Sequence, residues 1–433
     1  MNAFRFPDGF FWGAATSSHQ VEGNNVHNDW WAWEQAGRVK EPSGLACDQY
    51  HRFAEDFDLA ASLGHNAHRF SIEWSRVEPQ PGRFDDAALA HYVEVIDALR
   101  SRGLEPVVTL HHYTNPQWMA RAGTWTNPQI VDWFARYTER VAKAVGNRVR
   151  YWITINEPMV YVHMSYLEGI GPPGMRSVRA AQRVTEHLIR AHAAAYHVLH
   201  AAARTDAPPP QVSVANYLPL FLPCRAWWPP HRVASALTDR IFNGGFMTAV
   251  TEGRWAVPGV FPKRIAEAKG TLDYLGLNFY RRHFIRIGAR PSQWLGMACE
   301  RAHHWGPMTE RTSWMGWEVY PEAFSEVLTR WSRLGLPILV TENGTSMADD
   351  ARRWSFIHQH LAAMSRAIEA GTRVLGYLYW SLLDNFEWAH GFAPRFGLIE
   401  VDYATQERRV RESARRYAEV CRTNRLLVDS QTP

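Results

Sequence analysis

The chain has 433 residues, 46% apolar and 21% charged, with a formal net charge of +4. That balance supplies a large core, excludes a disordered chain, and carries no block of Lys or Arg of the kind that binds nucleic acid. The length alone suggests two or three domains, although α/β barrels with insertions pass 400 residues as one unit.

Apolar runs of strand length alternate with segments of helical period. The first run covers residues 10–16. A helix is predicted over 50–63, with Phe53 and Phe57 one turn apart. A second run, 67–74, carries Arg69 and Trp74. The next helix spaces Leu89, Tyr92, Val93, Ile96 and Leu99 by three and four, as one buried face requires, and Gly103 closes it. A third run, 106–112, precedes a helix with Ile130, Trp133, Phe134, Tyr137 and Val141.

The fourth run, 149–156, precedes a long helix over 178–203. Three prolines at 208–210 form a stiff connector, and a fifth strand resumes at 211–216. A helix near 233–250 leads to the sixth run, 274–280. Helix 322–333 leads to the seventh, 337–341, and helix 351–370 to the eighth, 374–381. A last helix is predicted over 407–422. Eight strand–helix units without a break in composition predict a parallel sheet closed into a (β/α)8 TIM barrel, one domain over 1–433. A doubly wound open sheet is the alternative.

In a barrel all strand C-termini open onto one face, where catalytic residues lie. Glu157 ends the fourth run in Thr154-Ile-Asn156-Glu157-Pro158. Glu342 ends the seventh in Thr341-Glu342-Asn343-Gly344. A buried unpaired carboxylate costs several kcal/mol or more, so stability explains neither placement. Two carboxyls facing each other form a general acid and a nucleophile. The other runs also end in polar or aromatic residues: Gln20, His111-His112-Tyr113, Asn278-Phe279-Tyr280, and Trp380 followed by Glu387-Trp388.

Twenty Trp residues and 13% aromatics read either as core filler or as flat rings for the C–H face of a sugar. Cys47, Cys224, Cys299 and Cys421 are scattered with no CxxC spacing, which argues against a disulfide framework or a cysteine-based zinc site. The first residues lack the apolar run of a signal peptide and no 18-residue apolar span occurs, so a cytoplasmic protein without a membrane helix is expected.

Six segments, in order, resemble glycoside hydrolase family 1, the retaining β-glucosidases and β-glycosidases. They are 11–23, 69–76, 154–158, 277–280, 341–344 and 380–388, so the resemblance spans almost the whole chain. It implies that Glu157 is the general acid/base and Glu342 the nucleophile, about 5–5.5 Å apart as retention requires. Arg69, Tyr280 and Asn278 would support them, with Arg69 and Tyr280 favouring the ionised nucleophile. Asn156 would contact the sugar 2-hydroxyl. Gln20, His112, Glu387 and Trp388 would bind further hydroxyls, Trp380 would form the platform, and a cis peptide would follow it. Phe396 would close the pocket near C6, and Trp317 would line the aglycone side. Tyr113 stands where the family places a glycone-side Trp, and His390 where Glu is common.

The resemblance implies β-glucosides and cello-oligosaccharides as substrates, with β-galactosides and β-fucosides accepted, and no cofactor. A carboxylate at Glu387, with no nearby lysine, would repel a 6-phosphate. Three formal motifs fail on context. Gly169–Gly174 reads GxGxxG but contains Pro172 and Pro173. Asn343-Gly-Thr345 is a glycosylation sequon beside the nucleophile. The pairs His111-His112 and His303-His304 lack an HExxH frame, and no metal is expected. Two rival readings remain: a non-catalytic sugar-binding barrel, and a 6-phospho-β-glycosidase.

Overall fold

A computed structural model describes residues 2–203, 208–288, 297–299, 304, 312 and 314–428. Eight parallel strands form a closed barrel: β1 (Phe11–Ala15), β2 (Ala67–Ser71), β3 (Glu105–His111), β4 (Tyr151–Asn156), β5 (Gln211–Tyr217), β6 (Leu275–Asn278), β7 (Ile338–Asn343) and β8 (Val374–Trp380). Each strand pairs with its neighbour in chain order. β8 closes the ring on β1 in register from Gly376 opposite Phe11 to Trp380 opposite Ala15. The open-sheet alternative is thereby excluded.

The interior is filled by Ala67, Val107, Tyr151, Ile153, Ala215, Tyr274, Leu339 and Leu378, with Phe11 packed against them. Strands such as β4 and β7 are buried at every position. That is why they read as continuous apolar runs rather than alternating ones.

The outer helices start where short polar side chains can satisfy free N–H groups. Asp85 accepts from Ala87 and Ala88 at the start of Asp86–Ser101, Ser177 from Ala180 at Val178–Ala201, and Asp349 from Ala351 at Asp350–Glu369. Their apolar faces pack on the barrel. In Ile130–Val145 that face is Ile130, Phe134, Tyr137, Val141 and Val145, close to the predicted set.

Four expectations change. β2 ends at Ser71, and Trp74 opens the short helix Trp74–Val77. Its ring stacks on Tyr137, 4.8 Å between centroids, and its indole N–H donates to Glu78 at 2.9 Å, so it belongs to the core rather than to the barrel mouth. The helix near 233–250 is two helices, Pro229–Asp239 and Gly245–Glu252, joined by a π-turn at Arg240–Gly244. The last helix begins at Glu412, because Arg408–Val410 is instead a strand antiparallel to Ile399–Val401. There Arg408 is fixed by Asp56 (2.9 Å) and the Cys47 carbonyl (2.5 Å).

The fourth change concerns cysteine. Cys224 and Cys299, 75 residues apart, are not scattered: their sulfurs lie 2.6 Å apart. Near the termini, Asn2–Arg5 pairs antiparallel with Arg425–Val428, a pairing that no local pattern announces. Among the described residues no helix is long and apolar enough to cross a membrane.

Candidate active site

The two glutamates occupy the mouth of the barrel in unequal surroundings. Glu342 lies on β7 near its end. Its Oε1 accepts from Arg69 Nη1 at 2.5 Å and its Oε2 from the Tyr280 hydroxyl at 2.6 Å. Arg69, on β2, is fully buried. Its remaining donors reach Thr109 Oγ1 (3.0 Å), the Thr341 carbonyl (3.3 Å) and Asn156 Oδ1 (2.7 Å). A guanidinium held at all three nitrogens cannot turn away from the carboxylate it serves.

Glu157 follows β4 directly, and its backbone adopts φ = +45°. A non-glycine residue in the left-handed region is strained, and such strain is held where surroundings over-determine it. Its backbone N–H donates to the Ala215 carbonyl at 2.7 Å, and its own carbonyl accepts from Tyr161 N–H at 3.0 Å. Tyr113 (φ +71°) and Trp388 (φ +52°) share the left-handed region at the same mouth.

The Glu157 carboxyl accepts from Asn278 Nδ2 at 2.9 Å on Oε1, and from the Tyr113 hydroxyl on Oε2. Asn278 also donates to Asn156 Oδ1 at 3.1 Å and accepts from Thr341 Oγ1 at 2.6 Å. A continuous chain therefore links the two glutamates: Glu157, Asn278, Asn156, Arg69, Glu342. Burial, and after it the negative charge of Glu342, raise the Glu157 pKa to about 8 against the opposing bonds from Tyr113 and Asn278. Burial is the larger of the two raising causes.

The other residues expected from sequence form the rest of the wall. Trp380 and Phe396 are buried together with Ala15, and Tyr280, Met315 and Trp317 pack against them. The Trp380–Ser381 peptide is cis, as the resemblance implies. His112 lies nearly parallel to Trp380 and Trp388, at interplanar angles of 19° and 14°. Its Nε2 is 3.1 Å from Asn156 Nδ2. Because Arg69 fixes the oxygen of the Asn156 amide, the nitrogen faces His112 as a donor and the imidazole accepts at Nε2. Burial and Arg69 keep that imidazole neutral, well below its ordinary pKa.

Gln20 donates to the Phe386 carbonyl (2.9 Å), Asn385 Oδ1 (3.0 Å) and Glu387 Oε2 (3.4 Å). Burial, then the charges of Glu342 and Glu157, raise the Glu387 pKa to about 8. This revises the phosphate argument. In the free site Glu387 is mostly protonated at neutral pH, so a formal charge there is not what disfavours phosphate.

All fourteen site residues expected from sequence converge on this mouth. Trp317 lies 5.5 Å from Tyr280 and 6.2 Å from Phe396 between ring centroids. The expectation for Tyr113 was incomplete: its hydroxyl engages Glu157 itself, and only the turned backbone after β3 reveals this. Thr109, Thr341 and Asn385 were missed, because Thr and Asn at strand ends carry no distinctive signal. The sequon at Asn343 is closed off. That side chain is buried, donating to the Phe279 carbonyl (2.7 Å) and accepting from the Tyr377 hydroxyl (2.8 Å). His303 lies outside the described residues.

A closed (β/α)8 barrel with this paired-carboxyl mouth defines a barrel enzyme of the glycoside hydrolase class. The sequence matches the family model described as Glycosyl hydrolase family 1 over residues 2–426. The chain is 33% identical to beta-glucosidase A of Thermotoga maritima, over 98% of this chain and 100% of that one. It is 34% identical to a bifunctional beta-D-glucosidase/beta-D-fucosidase of Bifidobacterium breve, over 94% and 96%. Its fold superposes on a beta-glycosidase from Pyrococcus horikoshii with a TM-score of 0.91 at 40% identity, covering 98% of this chain and 96% of that one. The chain belongs to glycosyl hydrolase family 1.

Proposed function

We propose that this protein is a retaining β-glucosidase that also accepts β-galactosyl and β-fucosyl groups and acts on terminal non-reducing residues. The observation that carries this reading is the inequality of two buried carboxyls. Glu342 is ion-paired to Arg69, while Glu157 keeps its proton to about pH 8. The relatives named for β-glucosidase and β-fucosidase activity support the glycone range.

In the first step a Glu342 oxygen attacks the anomeric carbon as the glycosidic C–O bond breaks. Glu157 gives its proton to the departing oxygen. The products are a glycosyl–Glu342 ester, the free aglycone alcohol and a Glu157 carboxylate. In the second step Glu157 takes a proton from water, whose oxygen attacks the anomeric carbon and releases Glu342. Two inversions give net retention. An acceptor sugar in place of water gives transglycosylation.

Arg69 and Tyr280 each hold one oxygen of Glu342 and so aim the attacking lone pair. Asn156 has a second amide N–H, beyond the one given to His112, for the 2-hydroxyl, where a hydrogen bond strengthens in the oxocarbenium-like transition state. Trp380 is the platform, with Gln20, His112, Glu387 and Trp388 around the other hydroxyls. A largely protonated Glu387 can both donate to and accept from a hydroxyl. Arg395, the nearest cation on its loop, bonds to the Val401 carbonyl (3.0 Å) and Asp384 (3.4 Å), so unphosphorylated sugars are favoured. Cello-oligosaccharide breakdown in the cytoplasm by a single catalytic domain completes the proposal.

Glu342→Gly should lose hydrolysis and, given azide, yield the α-glycosyl azide. Glu157→Ala given azide should yield the β-glycosyl azide. The same anomer from both variants would refute the assignment of roles. Equal kcat/KM on cellobiose and its 6-phosphate would refute the substrate class alone.

A further inference from the structure

Three side chains, Cys224 from one stretch and Cys299 and His304 from another, converge beside the strand that follows β6. That strand, His283–Arg286, is flanked by Phe221–Pro223 on one side and Met297–Ala298 on the other. The backbone N–H of Cys224 donates to the Ile285 carbonyl and that of Cys299 to the Phe284 carbonyl, both at 2.7 Å. The central strand thus fixes both cysteines. Their sulfurs are 2.6 Å apart, and Nε2 of His304 is 3.3 Å from each. The His304 ring lies flat on Phe284, 3.9 Å between centroids at 4°. Cys224 and Cys299 are buried and His304 is half-buried.

We propose that Cys224, Cys299 and His304 are the protein ligands of a single thiophilic divalent ion, zinc by preference. Two thiolates and an imidazole suit zinc, which takes such sets tetrahedrally, and are poor ligands for calcium or magnesium. Around an ion with Zn–S bonds of about 2.3 Å the sulfurs would stand about 3.7 Å apart, a movement of two side chains with no change in strand pairing. The alternative for two sulfurs this close is a disulfide. A disulfide, however, gives no reason for an imidazole nitrogen to sit equidistant from both. Three converging donors leave one position of a tetrahedron for water or a further ligand.

The ion would brace the aglycone side of the mouth. The central strand begins three residues after Tyr280, and His304 lies thirteen positions before Trp317 in the sequence. Arg282 already clasps Glu318 through two bonds of 2.7 and 2.8 Å. The metal would be a second clasp, tying Cys224 to Cys299 and His304 and acting on position rather than on bond breaking.

The test uses the full-length protein, purified under reducing conditions, stripped with a chelator and titrated with Co²⁺ and then Zn²⁺. The expected result is one Co²⁺ per chain, with thiolate-to-cobalt charge-transfer absorption and strong visible bands of a tetrahedral site, both abolished by Zn²⁺. Cys224→Ser and Cys299→Ser should each weaken binding by roughly 100-fold or more and about halve the charge-transfer band, and the double variant should lack it. His304→Ala, at a half-buried position, should fold, keep that band and bind more weakly. Absence of the band in the unmutated protein would overturn the proposal. So would Co²⁺ binding unchanged in Cys224→Ser, or recovery of Cys224 and Cys299 as one disulfide-linked peptide after alkylation of the native protein.

Discussion

Arg69 shows how much of this site one side chain organises. Its guanidinium engages Glu342, Asn156, Thr109 and the Thr341 carbonyl from full burial. Arg69→Lys keeps the charge but loses the fork, so kcat on an aryl β-glucoside should fall by at least about 100-fold. Tyr113 acts through a different quantity. Its hydroxyl lowers the pKa of Glu157 by hydrogen-bonding the carboxylate. In Tyr113→Phe the alkaline limb of kcat/KM should therefore move up, by roughly one pH unit, the worth of one bond to a charged group. An unmoved or lowered limb would contradict that role. The sequence placed both residues at the mouth. It assigned Arg69 its partner through a family motif, but the Tyr113–Glu157 bond depends on a backbone turn at φ = +71° that no residue type encodes.

At the scale of elements, β7 and β8 carry the proposed nucleophile Glu342 and the proposed platform Trp380, and their ends are locked together at Gly344. A Cβ there would meet the Trp380 carbonyl oxygen at 1.8 Å. Gly344→Ala must push the two backbones apart, moving Glu342 and Trp380 together. We expect a destabilisation of about 2 kcal/mol or more by denaturant unfolding, with a larger proportional loss in kcat than Ser177→Ala shows. The latter removes a helix cap far from the mouth and should cost about 1 kcal/mol with kcat unchanged. Strand and helix periodicity made all eight barrel units legible, since buried parallel strands and one-sided helices leave strong patterns. The misplaced start of the last helix has a physical cause: residues 408–410 extend to pair with Ile399–Val401 and to bring Arg408 onto Asp56. That is a tertiary demand on a charged run of helical composition.

Across the whole molecule, the site is a cost to stability that grows with pH. Glu157 and Glu387 are each raised to about 8, and Asp29 to about 7, with burial the largest cause in all three. Between the ordinary carboxyl range and these values the folded state holds protons that the unfolded chain has released. Stability from these groups is therefore complete below about pH 4.5 and is lost as pH rises toward 8. Glu387→Gln removes one such group at little change in shape. At pH 7 it should recover up to about 3 kcal/mol, a gain of about 3 °C in Tm for a chain of this size, while kcat/KM falls. A Tm gain equally large at pH 5 would contradict the linkage. The cysteine–histidine cluster belongs to this scale too. Cys224 lies 75 positions before Cys299, and only the closed fold brings it to the Cys299–His304 pair.

The central claim is that Glu342 becomes covalently bonded to the sugar while Glu157 does not. Incubation with a 2-deoxy-2-fluoro-β-glucosyl fluoride, whose glycosyl-enzyme hydrolyses slowly, followed by proteolysis and mass spectrometry, tests it most directly. The account predicts one fluoroglucosyl group per chain, as an ester of the Glu342 carboxylate. A label on Glu157, or a fully inactivated enzyme carrying its label on any other residue, would contradict it.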